Sequence, residues 1–165
     1  MSLGKAVDDA LDALNPDTPS GTVQAEVQGR SAQVEVADVD RIGVRVRRIR
    51  VERDRDYDVE RIAEAWPREL RDLPDRVVPV EVDPRMGGAS LRSDPDEMRD
   101  DRFVDIEVRG RVAEVRRRVR NRGEVRDDAD FTLTREQLGR MVDDLVRGGD
   151  DRADDVPVVG RDRRR

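Results

Sequence analysis

The side chains in this sequence that could hold a metal ion are carboxylates, and the first group of them is Asp54, Asp56 and Asp58. Aspartates at alternate positions begin a calcium-binding loop, which also requires glycine at its sixth position and glutamate at its twelfth. Those two positions are occupied here by Val59 and Ala65. The pattern therefore predicts a solvated loop whose last aspartate, Asp58, caps the N-terminus of a helix.

A second group of carboxylates lies in the acidic run D-P-D-E-M-R-D-D, residues 94–101. Oxygen ligands of this kind suit magnesium or calcium, and the candidate ligands are Asp94, Asp96, Glu97 and Asp100. An acidic loop in an aspartate-rich chain is more often simply solvated. We expect no bound metal and no cofactor, and we keep a divalent-metal site in the 94–101 loop as an alternative.

Two stretches of the sequence alternate arginine with apolar residues, which predicts strands with one basic face. The arginines are Arg45, Arg47, Arg48 and Arg50 in the first stretch and Arg116, Arg118 and Arg120 in the second. If the two strands are neighbours, this basic face could follow a phosphate backbone. Nucleic-acid binding through these residues is therefore one hypothesis for the function.

A different interpretation of these arginines is favoured by the aromatic content and the charge. Proteins that bind single-stranded nucleic acid usually add aromatic side chains on which bases stack, and the few aromatic residues here fall outside the predicted arginine strands. The net charge is -6. We therefore expect an outer sheet face on which the arginines pair across strands with glutamates, namely Glu26, Glu35, Glu52, Glu107 and Glu114.

The residue types that carry most enzyme chemistry are missing. The chain has no cysteine and no histidine, which excludes disulfides and zinc sites built from those residues and removes the commonest general base. The glycines after Met86 belong to no phosphate-binding pattern, and no G-x-S-x-G is present. Asp143 and Asp144 are expected on the solvent face of a helix, pointing about 100° apart, rather than as an acid/base pair. The sequence predicts a protein that is not an enzyme.

The composition is that of a heavily charged but folded chain. Of its 165 residues 44% are charged, and Lys5 is the only lysine among 33 basic residues. The opposite charges are interleaved and valines recur regularly, which argues against disorder. An acidic surface poor in lysine would suit a salty cytoplasm. No apolar run approaches the ~20 residues of a membrane span, and the start M-S-L-G-K-A lacks a signal-peptide core, so we expect a cytoplasmic location.

The best-specified element runs from Phe131 to Gly149. Thr134 and Gln137 have the spacing of a capping box at the N-terminus of a helix. The next apolar residues predict one buried stripe along about three helical turns: Leu138, Met141, Val142 and Leu145. Gly148 and Gly149 supply the C-terminal stop.

The rest of the chain supplies two more helices and several strands. Helices are predicted from Ser2 to Leu14 and from Asp58 onwards, the latter ended or kinked by Pro67. Alternating valines predict strands between residues 23 and 52 and between 78 and 119, with a bulge near Arg47–Arg48 and an edge strand at Pro79.

The predicted fold class is α+β. We expect a single curved antiparallel sheet of about six to seven strands with three helices, in the order helix–βββ–helix–ββββ–helix. Residues 1–149 form the predicted domain, and residues 150–165 form a charged tail that we expect to be disordered.

One internal similarity links the two halves of the chain. The segment Glu26–Val34 matches Glu107–Val115 at six of nine positions. A duplicated hairpin would produce this match, and so would a shared composition of valine, arginine and glutamate.

A sheet covered on one face by helices leaves its other face or an edge open, and such surfaces serve strand addition or dimer formation. The sequence therefore predicts a protein–protein interaction, adaptor or chaperone-like module whose partner is another protein or a second copy. By element order over Ser2 to Gly148, the chain resembles the small acidic dimeric chaperones of bacterial type III secretion. No residue motif carries that likeness, and the extra strands depart from it.

Overall fold

The computed structural model describes residues 1–14, 16–17, 20–98, 100–121 and 123–150. Within these residues the chain forms three helices and nine strands, and the α+β prediction is confirmed. The helices are α1 (Leu3–Leu11), α2 (Val59–Glu69) and α3 (Arg135–Arg147). The strands are β1 (Gly21–Val27), β2 (Arg30–Val39), β3 (Gly43–Glu52), β4 (Val77–Asp83), β5 (Gly88–Ser93), β6 (Arg102–Arg109), β7 (Val112–Asn121), β8 (Glu124–Ala129) and β9 (Phe131–Thr134).

All nine described strands belong to one antiparallel sheet. Seven of them follow the path β1-β2-β3-β7-β6-β5-β4, while β8 pairs with β7 and β9 pairs with β3. The seven-stranded path agrees with the expected six to seven strands. The additional strand β8 is one that the sequence pattern did not separate from its neighbours.

The sheet divides where β3 and β7 diverge. One half of β3, Arg48–Glu52, pairs with β7, and the other half, Gly43–Val46, pairs with β9. Because β8 runs antiparallel to β7 and β9 runs antiparallel to β3, the chain reverses direction at Asp130, the single residue between them. The segment β8–β9 therefore lies in the gap between the two longer strands.

The predicted irregularity near Arg47 is confirmed. Glu35 of β2 lies opposite Arg48, and Val36 lies opposite Val46, so Arg47 has no counterpart on β2. The bulge keeps Val46 on the same side of the sheet as Ile49, and both are fully buried. Without the extra residue, one half of the strand would turn its valines to solvent.

The helices cover one face of the sheet. α1 lies over β1 and β2, α2 over β4 and β5, and α3 over β3 and β9. All four residues of the stripe predicted for α3 are at most 1% exposed, and each contributes roughly 1.5–3 kcal/mol through burial: Leu138, Met141, Val142 and Leu145. Trp66 of α2 is also fully buried.

The predicted helix starts are confirmed by their caps. Side-chain oxygens of Ser2, Asp58 and Thr134 accept hydrogen bonds from backbone N–H groups at 3.0, 3.2 and 3.0 Å. Gln137 completes the capping box by accepting from the Thr134 N–H at 2.9 Å. Pro67 does not end α2, which continues to Glu69; its ring removes only the one N–H that would reach the Ala63 carbonyl.

The prediction that Asp143 and Asp144 face solvent is wrong. Asp144 is 7% exposed and pairs with Arg147, while the Asp143 carboxylate accepts from the Gly4 N–H at 2.8 Å. Asp143 therefore faces the N-terminus of α1, while Asp144 lies beside Arg147 in the same helix.

The end of α3 is held by a cluster of arginines. The Arg53 side chain is only 5% exposed, and its guanidinium carbon lies 4.5 Å from the centre of the Tyr57 ring. The Asp150 carboxylate pairs with Arg53 at 3.7 Å, with Arg61 at 3.2 Å and with Arg55. The remainder of the predicted tail, residues 151–165, lies outside the described residues. None of the described helices is both long and apolar enough to cross a membrane.

Candidate protein-interaction site

The strand β1 is an uninterrupted edge of the sheet. It pairs with β2 in unbroken register from Gly21 opposite Val36 to Val27 opposite Arg30. The connecting turn has positive φ at Gln28 (53°) and Gly29 (79°), as in the type I′ turn that suits a two-residue hairpin. None of the other described strands pairs with β1, so its second side is open.

The backbone groups on the open side of β1 belong to three residues. The turn hydrogen bond joins the first and last residues of the turn, Val27 and Arg30, and hydrogen-bonded pairs alternate with other pairs along an antiparallel ladder. The alternating residues Thr22, Gln24 and Glu26 therefore direct their N–H and C=O groups away from β2. All three residues are exposed.

The opposite edge of the sheet, β4, is poorly suited to pairing. Pro79 cannot donate a backbone hydrogen bond, and the register with β5 shifts between Pro79 and Glu81. Proline, bulges and charges are the features by which edge strands avoid further pairing, and β4 also ends in Asp83. The prediction that Pro79 marks an edge is confirmed. By contrast, β1 contains neither proline nor bulge, and Glu26 is its only charged residue.

Half-buried apolar side chains lie beside the β1 edge. Ala10, Leu14, Ala25 and Val27 pack against the core without being fully covered. On the far flank of α1, Asp8 and Asp12 bind Arg135 of α3. By helical spacing, Ala6 and Ala10 lie on the flank away from α3. The β1 edge is therefore bordered by apolar side chains on the helix-covered face of the sheet and by polar side chains on the outer face.

The two arginine strands are neighbours, as a shared basic face requires. Arg48 of β3 lies directly opposite Arg116 of β7, and Arg116 lies opposite Asp105 of β6. Glu35 and Arg92 extend this row of charges on either side. Acidic and basic residues thus alternate in part across the outer face of the sheet.

Most of the predicted arginines have partners on this face. Arg48 pairs with Glu35 at 3.5 Å and with Glu114 at 3.9 Å, while Arg116 pairs with Glu114 at 3.2 Å. Glu52 pairs with Arg111 at 4.0 Å.

The remaining predicted arginines differ in their surroundings. Arg45 pairs with Asp130 at 3.5 Å, and Arg118 pairs with Asp105 at 2.9 Å. Arg47 and Arg50 are exposed. These contacts are those of an ion-paired outer face.

Two residues at the centre of the outer face were not predicted from the sequence. Asp105 is 1% exposed and binds Arg92 and Arg118. Phe103 is buried, with the guanidinium carbons of Arg92 and Arg120 at 5.5 and 5.4 Å from its ring centre. An aspartate between Val104 and Ile106 in a predicted strand was the available signal.

The acidic loop binds a neighbouring arginine and its own backbone. Asp94 pairs with Arg76 at 3.3 Å and accepts from the Asp96 N–H at 3.0 Å. Glu97 accepts from the Arg76 N–H at 3.2 Å, and Asp100 accepts from the Arg102 N–H at 2.8 Å. Among the described residues no group of acidic side chains has the arrangement of a metal site.

A cleft of about 440 Å³ between α2 and α3 is lined by charged side chains. Arg140 and Asp72 bind each other through two hydrogen bonds at 2.9 and 3.0 Å, and Asp144 binds Arg147. These lining charges largely compensate one another.

No known protein family, curated protein or solved structure matches the chain.

Proposed function

We propose that this chain is a non-enzymatic protein-interaction module that binds a partner by strand addition at β1. The observation that carries the proposal is the contrast between the two edges of the sheet. β1 offers seven residues in regular register with exposed backbone groups, whereas β4 is blunted by Pro79 and a bulge.

The chemistry of such binding follows from the position of β1. A strand laid beside it pairs with the N–H and C=O groups of Thr22, Gln24 and Glu26, which supplies affinity with little dependence on sequence. Alternate side chains of the added strand then lie on the polar outer face or beside the half-buried Ala25 and Val27. Selectivity comes from that division between polar and apolar sides.

A peptide-display selection tests the proposal. The probe is a library of extended ten-residue segments, selected on the purified chain and counter-selected on the Gln24→Lys variant. A lysine on an edge strand discourages pairing. Gln33→Lys is the matched control, because Gln33 lies directly opposite Gln24 on the inner strand.

The selected peptides should bind the wild-type chain and the Gln33→Lys variant alike, and should shift the amide resonances of Thr22, Gln24 and Glu26. The proposal fails if the selected peptides shift other residues instead, such as those of the α2–α3 cleft. It also fails if the counter-selection on the Gln24→Lys variant leaves no peptide that binds the wild-type chain.

Phosphate-backbone binding through the arginine strands is the weaker proposal. Arg45, Arg48, Arg116 and Arg118 are engaged in ion pairs with carboxylates. Such binding predicts affinity for a single-stranded oligonucleotide that falls steeply with salt.

A further inference from the structure

Building on the proposed function, we infer that the strand accepted by β1 is β1 of a second copy of this chain. The two strands run antiparallel about a two-fold axis at Gln24. The result is a dimer in which the seven-stranded path of one copy continues into that of the other.

The register of this pairing follows from the outward-facing backbone groups. With Gln24 of each copy opposite the other, Thr22 of one copy lies opposite Glu26 of its mate, and the reverse. Each of these pairs is hydrogen-bonded and exchanges both of its N–H···O bonds. Any other antiparallel register leaves at least one of the three outward-facing residues without a partner.

The charges on the outer face agree with the same register. Glu26 is the only charged residue of β1, and the two-fold axis at Gln24 places it opposite a threonine. A two-fold axis at Glu26 would place two carboxylates directly opposite each other, which destabilises an antiparallel pair.

The apolar border of β1 is covered in this arrangement. Val23 of one copy lies opposite Ala25 of the other on the helix-covered side. The flanks of α1 that carry Ala6 and Ala10 face each other across the axis. Leu14, which is half-buried in the single chain, lies at the margin of this surface.

The blunted edge explains why the assembly stops at two copies. After β1 is paired, each end of the continuous sheet is a β4 strand, with Pro79 and its bulge. Such an edge resists further pairing, so the isologous contact closes as a dimer and does not propagate into a fibre.

The absence of cysteine from the chain allows a direct test by thiol crosslinking. Residues of a hydrogen-bonded antiparallel pair have Cα atoms about 5.5 Å apart, but their Cβ atoms are too far apart for an unstrained disulfide, so the probe is a short bis-maleimide. The Gln24→Cys variant should form a covalent dimer with this reagent. The matched variant Gln33→Cys, one strand further in, should remain uncrosslinked.

Light scattering behind a sizing column supplies the second measurement. The untagged chain, whose mass is 18.8 kDa, should elute with twice that mass at micromolar concentration. A Gln24→Lys variant, which places two lysines opposite each other, should weaken dimerisation by about two- to fivefold, while Gln33→Lys should not.

A monomeric wild-type chain, or equal crosslinking of the two cysteine variants, would overturn the dimer. The display selection separates this failure from failure of the proposed function. If the chain is monomeric and selected peptides still bind β1, strand addition stands with a different occupant. If the chain neither dimerises nor binds a selected peptide at β1, both proposals fail.

Discussion

The carboxylate of Asp143 in α3 accepts a 2.8 Å hydrogen bond from the backbone N–H of Gly4, 139 residues earlier in the chain. Gly4 belongs to the first turn of α1, where N–H groups have no partner within the helix. A negative charge at this end also interacts favourably with the helix dipole. One side chain thus stabilises the start of α1 and joins it to α3.

We expect Asp143→Ala to lower the free energy of unfolding by about 1–2 kcal/mol, because it removes this acceptor from a partly buried donor. Asp143→Asn keeps an acceptor oxygen and should lose less. Urea unfolding followed by circular dichroism measures the difference. The control is Asp9→Ala, which loses only an exposed pair with Lys5 and should change stability by no more than about 0.5 kcal/mol. Equal losses in the two alanine variants would refute the role of Asp143.

Gly4 also permits the close crossing of α1 and α3. A Cβ atom on Gly4 would lie 2.1 Å from the Gly139 carbonyl oxygen, whereas a Cβ atom on Gly139 would lie 3.3 Å from the Gly4 carbonyl oxygen. Gly4→Ala should therefore force the helices apart and destabilise the chain by about 1–3 kcal/mol. Gly139→Ala meets a milder contact, which its better helix propensity of about 1 kcal/mol offsets. In thermal unfolding, Gly4→Ala should have a lower melting temperature than Gly139→Ala. A Gly4→Ala variant that is more stable than Gly139→Ala would contradict this expectation.

The sequence predicted the features of this fold that depend on neighbouring residues. The capping box at Thr134 and the apolar stripe of α3 are set by spacing within one helix. The bulge at Arg47 is visible as a change in the alternation of one strand. Pro79 marks an edge because its ring removes a backbone donor wherever it stands.

The long-range pairings could not be predicted in the same way. The alternation of Val23, Ala25 and Val27 in the edge strand β1 resembles that of strands inside the sheet. Nothing local places β7 beside β3 or reverses the chain at Asp130. The contact of Asp143 with Gly4 depends on which face of α3 meets α1, and helical spacing alone does not reveal that. The candidate site is an edge, so it became visible only when the strand order was known.

Asp105 supplies a prediction for the outer face. Its side chain is 1% exposed and binds Arg118 at 2.9 Å and Arg92 at 3.4 Å. Asp105→Ala removes the carboxylate from both arginines. We expect it to lower the free energy of unfolding by about 2–3 kcal/mol, which is less than for a fully buried ion pair because the two arginines reach solvent. Arg92→Ala, which removes one partly exposed partner, should cost about 1 kcal/mol or less. Denaturant unfolding of both variants and of the double variant measures the coupling, and additive losses would show that the pair does not interact.

Glu107 gives the outer face a pH dependence. Glu107 is exposed, and its partial desolvation beside the neighbouring strands, and then the charge of Asp105, raise the pKa of Glu107 above its usual value. Glu114 also lies directly opposite on β7. The native state therefore binds this proton more tightly than the unfolded chain does, and the ionised carboxylate disfavours folding. The stabilising effect of the proton is complete below the unfolded pKa of about 4.3 and is lost as the pH rises through the folded pKa.

Replacement of the Glu107 carboxylate should therefore change the free energy of unfolding at neutral pH and not in acid. We expect Glu107→Gln to unfold at a higher urea concentration than the wild-type chain at about pH 7, because the amide carries no charge. The two chains should converge near pH 3.5, where about nine-tenths of the carboxyl groups are protonated even in the unfolded state. Glu64→Gln, on the exposed face of α2, is the matched control and should differ little from wild type at either pH. A Glu107→Gln variant that is less stable than wild type at neutral pH would show that the attraction of the carboxylate to the charges of Arg92 and Arg116 outweighs its desolvation.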